Sequence, residues 1–121
     1  MAIKTKSIYE KASPDDGYRV LVMTYWPRGV ARNAVNAWEK ELGTPPEQIK
    51  AWKSKSITWK EFSRLYRNAI KPMRGKVAEL AQRAQKTNVT LLCGCRDENA
   101  CHRIILKKLI ARQAKAAANQ T

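Results

Sequence analysis

The chain has 121 residues, 44% hydrophobic and 28% charged, with 24 Lys and Arg against 10 Asp and Glu and a formal net charge of +14. That length suits one domain able to bury a core without staples, and the composition excludes a disordered chain. No apolar run approaches the ~18 residues of a membrane span, the opening MAIKTKSIYEK lacks the apolar segment of a secretory signal, and three cysteines, an odd number, suit reduced thiols in the cytoplasm.

IKTKSIY alternates apolar and polar positions and predicts an edge strand. SPDDGYR is turn chemistry, with Pro14 fixing φ and Gly17 able to take a positive one. YRVLVMTYW reads as a buried strand that Pro27 and Gly29 of WPRG bring to an end. The stretch from Val30 to Thr44 fits two alternatives, a helix that puts Trp38 and Leu42 on one face or a short strand around Trp38.

Pro46 suits the first turn of a short helix running to Trp52. Thr58 to Glu61, TWKE, is a capping-box pattern, and Trp59, Phe62, Tyr66 and Ala69 follow at helical spacing. Pro72 ends that helix and opens another, with Met73, Val77, Leu80, Ala81 and Ala84 as its apolar face. Asn88 marks a turn before VTLLC, a short buried strand, and a last helix starts at about Asn99 or Ala100. Residues 114–121, AKAAANQT, are expected to fray, so the domain is expected to span 1–113.

Strands separated by helical stretches imply an α/β fold, a single compact domain with a small, mainly parallel sheet flanked by helices. In such sheets ligands gather where strand carboxyl ends meet helix N-termini. WPRG and the segment from Cys93 to Arg103 both lie at strand carboxyl ends, and parallel neighbouring strands would bring them to one rim.

That second segment holds Cys93, Cys95, Cys101 and His102, all the cysteines and the only histidine of the chain. Their type and number match a zinc site, but C-x-C-x5-C-H is a poor spacing, and adjacent Cys101 and His102 on a helix point about 100° apart. The expectation is therefore no metal or cofactor, with zinc on these four residues a minor alternative. Cys101 at a helix N-terminus, beside Arg96, His102 and Arg103, has the surroundings of a reactive thiol. It also lies one turn before Ile105 on the apolar stripe, where a buried small hydrophobe serves equally well. Without a covalent step, Arg96, Arg103 and Arg28 could close on an anion at the helix N-terminus, unless Asp97 and Glu98 cap it.

The basic excess favours polyanion partners, nucleic acid first, with acidic proteins or membrane surfaces behind. From Glu47 to Lys86 lysine and arginine interleave with Trp52, Trp59 and Tyr66, and Trp52 is the aromatic ring freest to stack on a base. On the last helix Lys108, Arg112 and Lys115, joined by Lys107, form a basic ridge opposite Ile105 and Leu109.

SPDDGYRVLV followed by WPRG, then Trp38, the Trp59–Phe62–Tyr66 spacing and an LL-x-G-x-RDE segment before a histidine, resembles the YeaO-like family of small bacterial and archaeal domains. The resemblance runs from about Ile3 to Arg112 and implies a single α/β domain with no established activity. Where that family usually has Asp-Arg before its LWPRG, this chain has Met23-Thr24 and then Tyr25. Cys93 and Cys101-His102-Arg103 instead resemble the LLC…CHR ending of longer relatives, which makes them site candidates.

Two functions are expected. One is polyanion binding, to nucleic acid or phosphate, through Trp52, Lys107, Lys108, Arg112 and Lys115. The other is an enzyme or redox module in which Cys101 and His102, with Arg28, Cys93, Arg96 and Arg103, act on an anionic substrate. No membrane partner is expected, and no oligomeric state follows from the sequence.

Overall fold

A computed structural model describes residues 2–94 and 101–119, with side chains described through residue 115. Its centre is a four-stranded sheet of β1 (Ile3–Ser7), β2 (Tyr18–Leu21), β3 (Ala37–Trp38) and β4 (Val89–Cys93). The order is β1-β4-β2-β3 and every pairing is parallel. Among the described residues four helices follow the strands or connect them: α1 (Pro46–Lys53), α2 (Trp59–Ala69), α3 (Arg74–Ala84) and α4 (His102–Asn119).

β4 is buried along its whole length, as a continuous apolar run predicts for the middle of a parallel sheet. Successive side chains of a strand point to opposite faces. Val20, Val22, Val89 and Leu91 therefore join Phe62 and Tyr66 of α2, Val77 and Leu80 of α3 and Ile105, Leu106 and Ile110 of α4 in one core. Leu21 and Leu92 point the other way and pack with Ile8, Trp26 and Trp38, under the loop that carries WPRG.

The predicted turn before β2 is a 3₁₀ turn, Pro14–Asp16, capped by Ser13, with Gly17 at φ 62°. A Cβ at Gly17 would also lie 2.3 Å from the Asn88 carbonyl oxygen, so glycine is needed here twice over. The buried Asp16 carboxylate accepts from the Ser13 amide at 3.0 Å, from Lys6 Nζ at 3.1 Å and from Arg19 Nη1 at 2.5 Å. Its backbone carbonyl accepts from Thr90 Oγ1 at 2.7 Å, which ties the turn to β4.

Of the two alternatives for Val30 to Thr44, the strand is the one formed, as β3 between 3₁₀ turns at Arg32–Ala34 and Lys40–Leu42. The Asn36 side chain accepts from the Arg19 amide at 2.7 Å and the Glu39 amide donates to the Leu21 carbonyl at 2.9 Å, docking this segment on β2. Trp38 and Leu42 consequently serve opposite sides of the sheet. β2 itself is shorter than YRVLVMTYW suggests, ending at Leu21, although the Val22 amide still donates to the Leu92 carbonyl at 3.0 Å.

On α2, Thr58 Oγ1 accepts from the Glu61 amide at 3.1 Å, as the capping pattern predicts. Ala69 is exposed, and Ile70 takes the core position at the helix end, because the chain leaves the helix there. The expected start of the last helix at Asn99 or Ala100 lies outside the described residues. α4 continues to Asn119, through the alanine-rich segment beyond residue 113, and Ala114 packs against the core. Among the described residues no helix is long and apolar enough to cross a membrane.

Candidate functional site

Basic side chains of α2 and α3 lie on one line. Arg64, Arg67, Lys71 and Arg74 are spaced by three, four and three, so the 3₁₀ turn Lys71–Met73 carries a single helical face from α2 into α3. α4 packs alongside and brings Arg112. The three helices enclose a groove of about 470 Å³ with these five cations on its walls and Ile70, Val77 and Leu109 in its floor. A second hollow of about 170 Å³ continues it past Arg67, Leu109 and Arg112 to Trp59 and Lys108.

No carboxylate lines either hollow among the described residues. The ion pairs found there join Lys6 and Arg19 to Asp16, and Lys76 to Glu39 and Glu79, and use none of the groove cations. The result is a concave patch of one sign over an apolar base, where long basic stems cover hydrophobic surface and hold their charged ends in water. Arginine forks in such a patch match phosphate and carboxylate oxygens two at a time.

A second constellation lies in the core. Cys93 ends β4 on the helix-facing side, by alternation from Val89 and Leu91, and Cys101 and His102 stand at the start of α4. Cys101 Sγ is 3.5 Å from Cys93 Sγ and 3.6 Å from His102 Nδ1. The sulfur pair is in contact, well beyond the ~2.05 Å of a disulfide bond. His102 Nε2 lies 2.5 Å from the Val22 carbonyl, which can only accept, so Nε2 carries a proton and Nδ1 is the ring nitrogen that faces the thiols.

Tyr66 closes this cluster. Its ring stands 5.3 Å from the His102 ring and its hydroxyl donates to the Leu42 carbonyl at 2.7 Å. Burial pushes the Tyr66 phenol well above its ordinary range, and the adjacent Cys101 and Cys93 add to the rise. Cys93, Cys101 and Arg103 are each 2% exposed and His102 5%, so this cluster, unlike the groove, is buried.

A family profile described as the active DUF488-N3 subclade, DUF488-N3a, matches residues 3–114. The chain belongs to the DUF488-N3a family. It is 31% identical over 108 residues to the uncharacterized protein YeaO of Escherichia coli, covering 88% of this chain and 94% of that one. It is 27% identical over 111 residues to uncharacterized proteins of Mycobacterium bovis and Mycobacterium tuberculosis, covering 89% of this chain and 92% of theirs. No solved structure matches.

In this DUF488-N3a domain the structure brings Cys93, Cys101 and His102 together, with Arg103 next on α4. Arg28 is exposed in the loop on the other layer, where its carbonyl accepts from the Tyr9 hydroxyl at 3.5 Å. Cys95 and Arg96, and the expected caps Asp97 and Glu98, lie outside the described residues. Lys108 and Arg112 line the hollows, whereas Lys107 is half-buried and Lys115 exposed outside their linings. Trp52 is half-buried against Trp59 and Phe62, with ring centroids 5.3 and 5.7 Å apart, and Trp59 is the ring that reaches a hollow.

Arg64, Arg67, Lys71 and Arg74 were not singled out from the sequence. Their helical spacing was the available signal, hidden by Pro72, which reads as a break between two helices.

Proposed function

We propose that this domain binds polyanions, nucleic acid before others, in the groove between α2, α3 and α4. The observation that carries this is the ring of five cations, Arg64, Arg67, Lys71, Arg74 and Arg112, around an apolar floor with no lining carboxylate among the described residues. Trp59 lines the adjoining hollow with Arg67 and Lys108, an aromatic ring among cations, the combination that stacks a base while holding its phosphate. The net charge of +14 would steer such a partner from a distance.

The test is the affinity of the native chain for a labelled oligonucleotide at several salt concentrations. With about five phosphates neutralised, the slope of log K against log salt is expected near −3.5 for a single strand and −4.5 for a duplex. A fourfold rise in salt then weakens binding about 130-fold and about 500-fold respectively. Failure to retain either nucleic acid at low salt would remove the reading.

A second reading, an enzyme or redox module using Cys101 with His102 and Arg103 on an anionic substrate, is favoured by the 3.6 Å approach of Cys101 Sγ to His102 Nδ1. The family's description as an active subclade is in keeping with chemistry of some kind. On this reading Cys101 in the native protein is expected to alkylate near neutral pH at least as fast as an ordinary thiol. Labelling only after unfolding would identify it as core filler.

A further inference from the structure

We propose that Cys93, Cys101 and His102 form a binding site for a thiophilic divalent cation of the zinc class. Three observations converge on it, and none of them depends on the groove.

The first is spacing. The donor atoms of the three residues all lie within 4.8 Å of one another, and two of the edges measure 3.5 Å, sulfur to sulfur, and 3.6 Å, sulfur to Nδ1. Zinc holds thiolate sulfur at about 2.3 Å and imidazole nitrogen at about 2.0–2.1 Å in a tetrahedron. Those lengths set neighbouring donors about 3.5–3.8 Å apart. Two edges are therefore at ligating distance, and the third needs to close by about 1.3 Å at most, within reach of small side-chain rotations.

The second is the histidine. A metal-bound imidazole characteristically gives its other N–H to a carbonyl or carboxylate, which fixes the tautomer and raises its basicity. His102 makes that arrangement with the Val22 carbonyl, and Nδ1 is the nitrogen turned to the sulfurs. The adjacency of Cys101 and His102, which speaks against joint ligation inside a helix, is no obstacle here, because α4 begins only at His102.

The third is charge. The site is buried, and a buried ion is tolerated only when compensated. Two thiolates, one neutral imidazole and one dication sum to zero. Soft sulfur and imidazole donors select zinc-like ions over magnesium or calcium, which require oxygen. Each thiol loses its proton to solvent as the metal binds, so uptake releases acid. Three protein donors leave one coordination position for a further ligand.

The experiment titrates cobalt(II) alone into reduced, metal-free full-length protein and follows visible absorption. One equivalent is expected to give tetrahedral bands with a thiolate charge-transfer band, bleached on adding zinc. Cys93→Ser, Cys101→Ser and His102→Gln, each checked for native circular dichroism, are expected to weaken cobalt binding at least tenfold. Because a buried serine can disturb the fold, a second measurement uses the native chain. Mass-resolved alkylation of Cys93 and Cys101 is expected to slow in the presence of zinc and to recover with a chelator. The proposal is overturned if no cobalt spectrum develops, if folded variants keep the spectrum unchanged, or if zinc leaves alkylation rates the same. Ready closure of a Cys93–Cys101 disulfide with no metal taken up would also overturn it, and would assign the pair to redox exchange.

Discussion

Asp16→Ala is expected to lower the unfolding free energy by about 3–5 kcal/mol, the range for breaking a buried ion pair by removing one partner. One carboxylate serves the Ser13 amide, the Lys6 ammonium and the Arg19 guanidinium, and its loss leaves a largely buried arginine and lysine without their counter-charge. Arg19 is further held by the Ala34 carbonyl at 2.8 Å, so it cannot swing to water without releasing the segment that leads into β3. Urea unfolding at pH 7 measures the loss, and a change below about 1 kcal/mol would mean that the network contributes little.

The same group predicts a pH dependence. Burial raises the Asp16 pKa, but the Ser13 amide, Lys6 and Arg19 outweigh it and hold the carboxyl below its ordinary value of 3.8. A folded-state pKa below the unfolded one means that the unfolded chain binds the proton more readily. The stabilisation is therefore complete above the unfolded value and is lost as pH falls through the lower, folded one. Native protein should lose stability progressively below about pH 4, and Asp16→Asn should remove that part of the slope while being less stable at neutral pH.

Replacing Arg64, Arg67, Arg74 and Arg112 together by Gln is expected to weaken nucleic-acid binding on the order of 10³-fold at low salt. Each lost charge-assisted contact is taken at about 1 kcal/mol after solvent screening, and the four together correspond to that factor. The salt slope should become shallower by about 3 on a single strand. All four side chains are exposed, so thermal stability is expected to stay close to native. Lys86→Gln, an exposed change outside the groove lining, should leave affinity nearly as it was. Equal loss per charge removed from both changes would mean that net charge, and not the groove, governs binding.

Residues whose role is set by near neighbours were legible in the sequence. Pro14 and Gly17 announce their turn, VTLLC its buried strand, and Phe62 and Tyr66 the inner face of α2, because pattern and turn chemistry act over a few residues. The segment around Trp38 was ambiguous since its two-residue pairing depends on β2, with Val20 seventeen residues before its partner Ala37, and on no local pattern. At the groove, sequence reading found Lys108 and Arg112 but missed the opposing wall, because a helical face that continues through a proline turn is seen only once the two helices are placed. The cysteines and the histidine were legible as candidates. That Val22 would supply the carbonyl that orients His102 was not, since those residues are 80 positions apart.

The position of β4 has a consequence for biosynthesis. β1 and β2 do not pair with each other, and their shared neighbour begins at Val89. A nascent chain therefore emerges from the ribosome with β1 and β2 lacking the central partner that joins them until synthesis has passed Val89. Long-range parallel pairing of this kind folds slowly. Truncation before Val89 would yield a fragment with exposed strand edges, suited to chaperone capture or aggregation and not to autonomous folding.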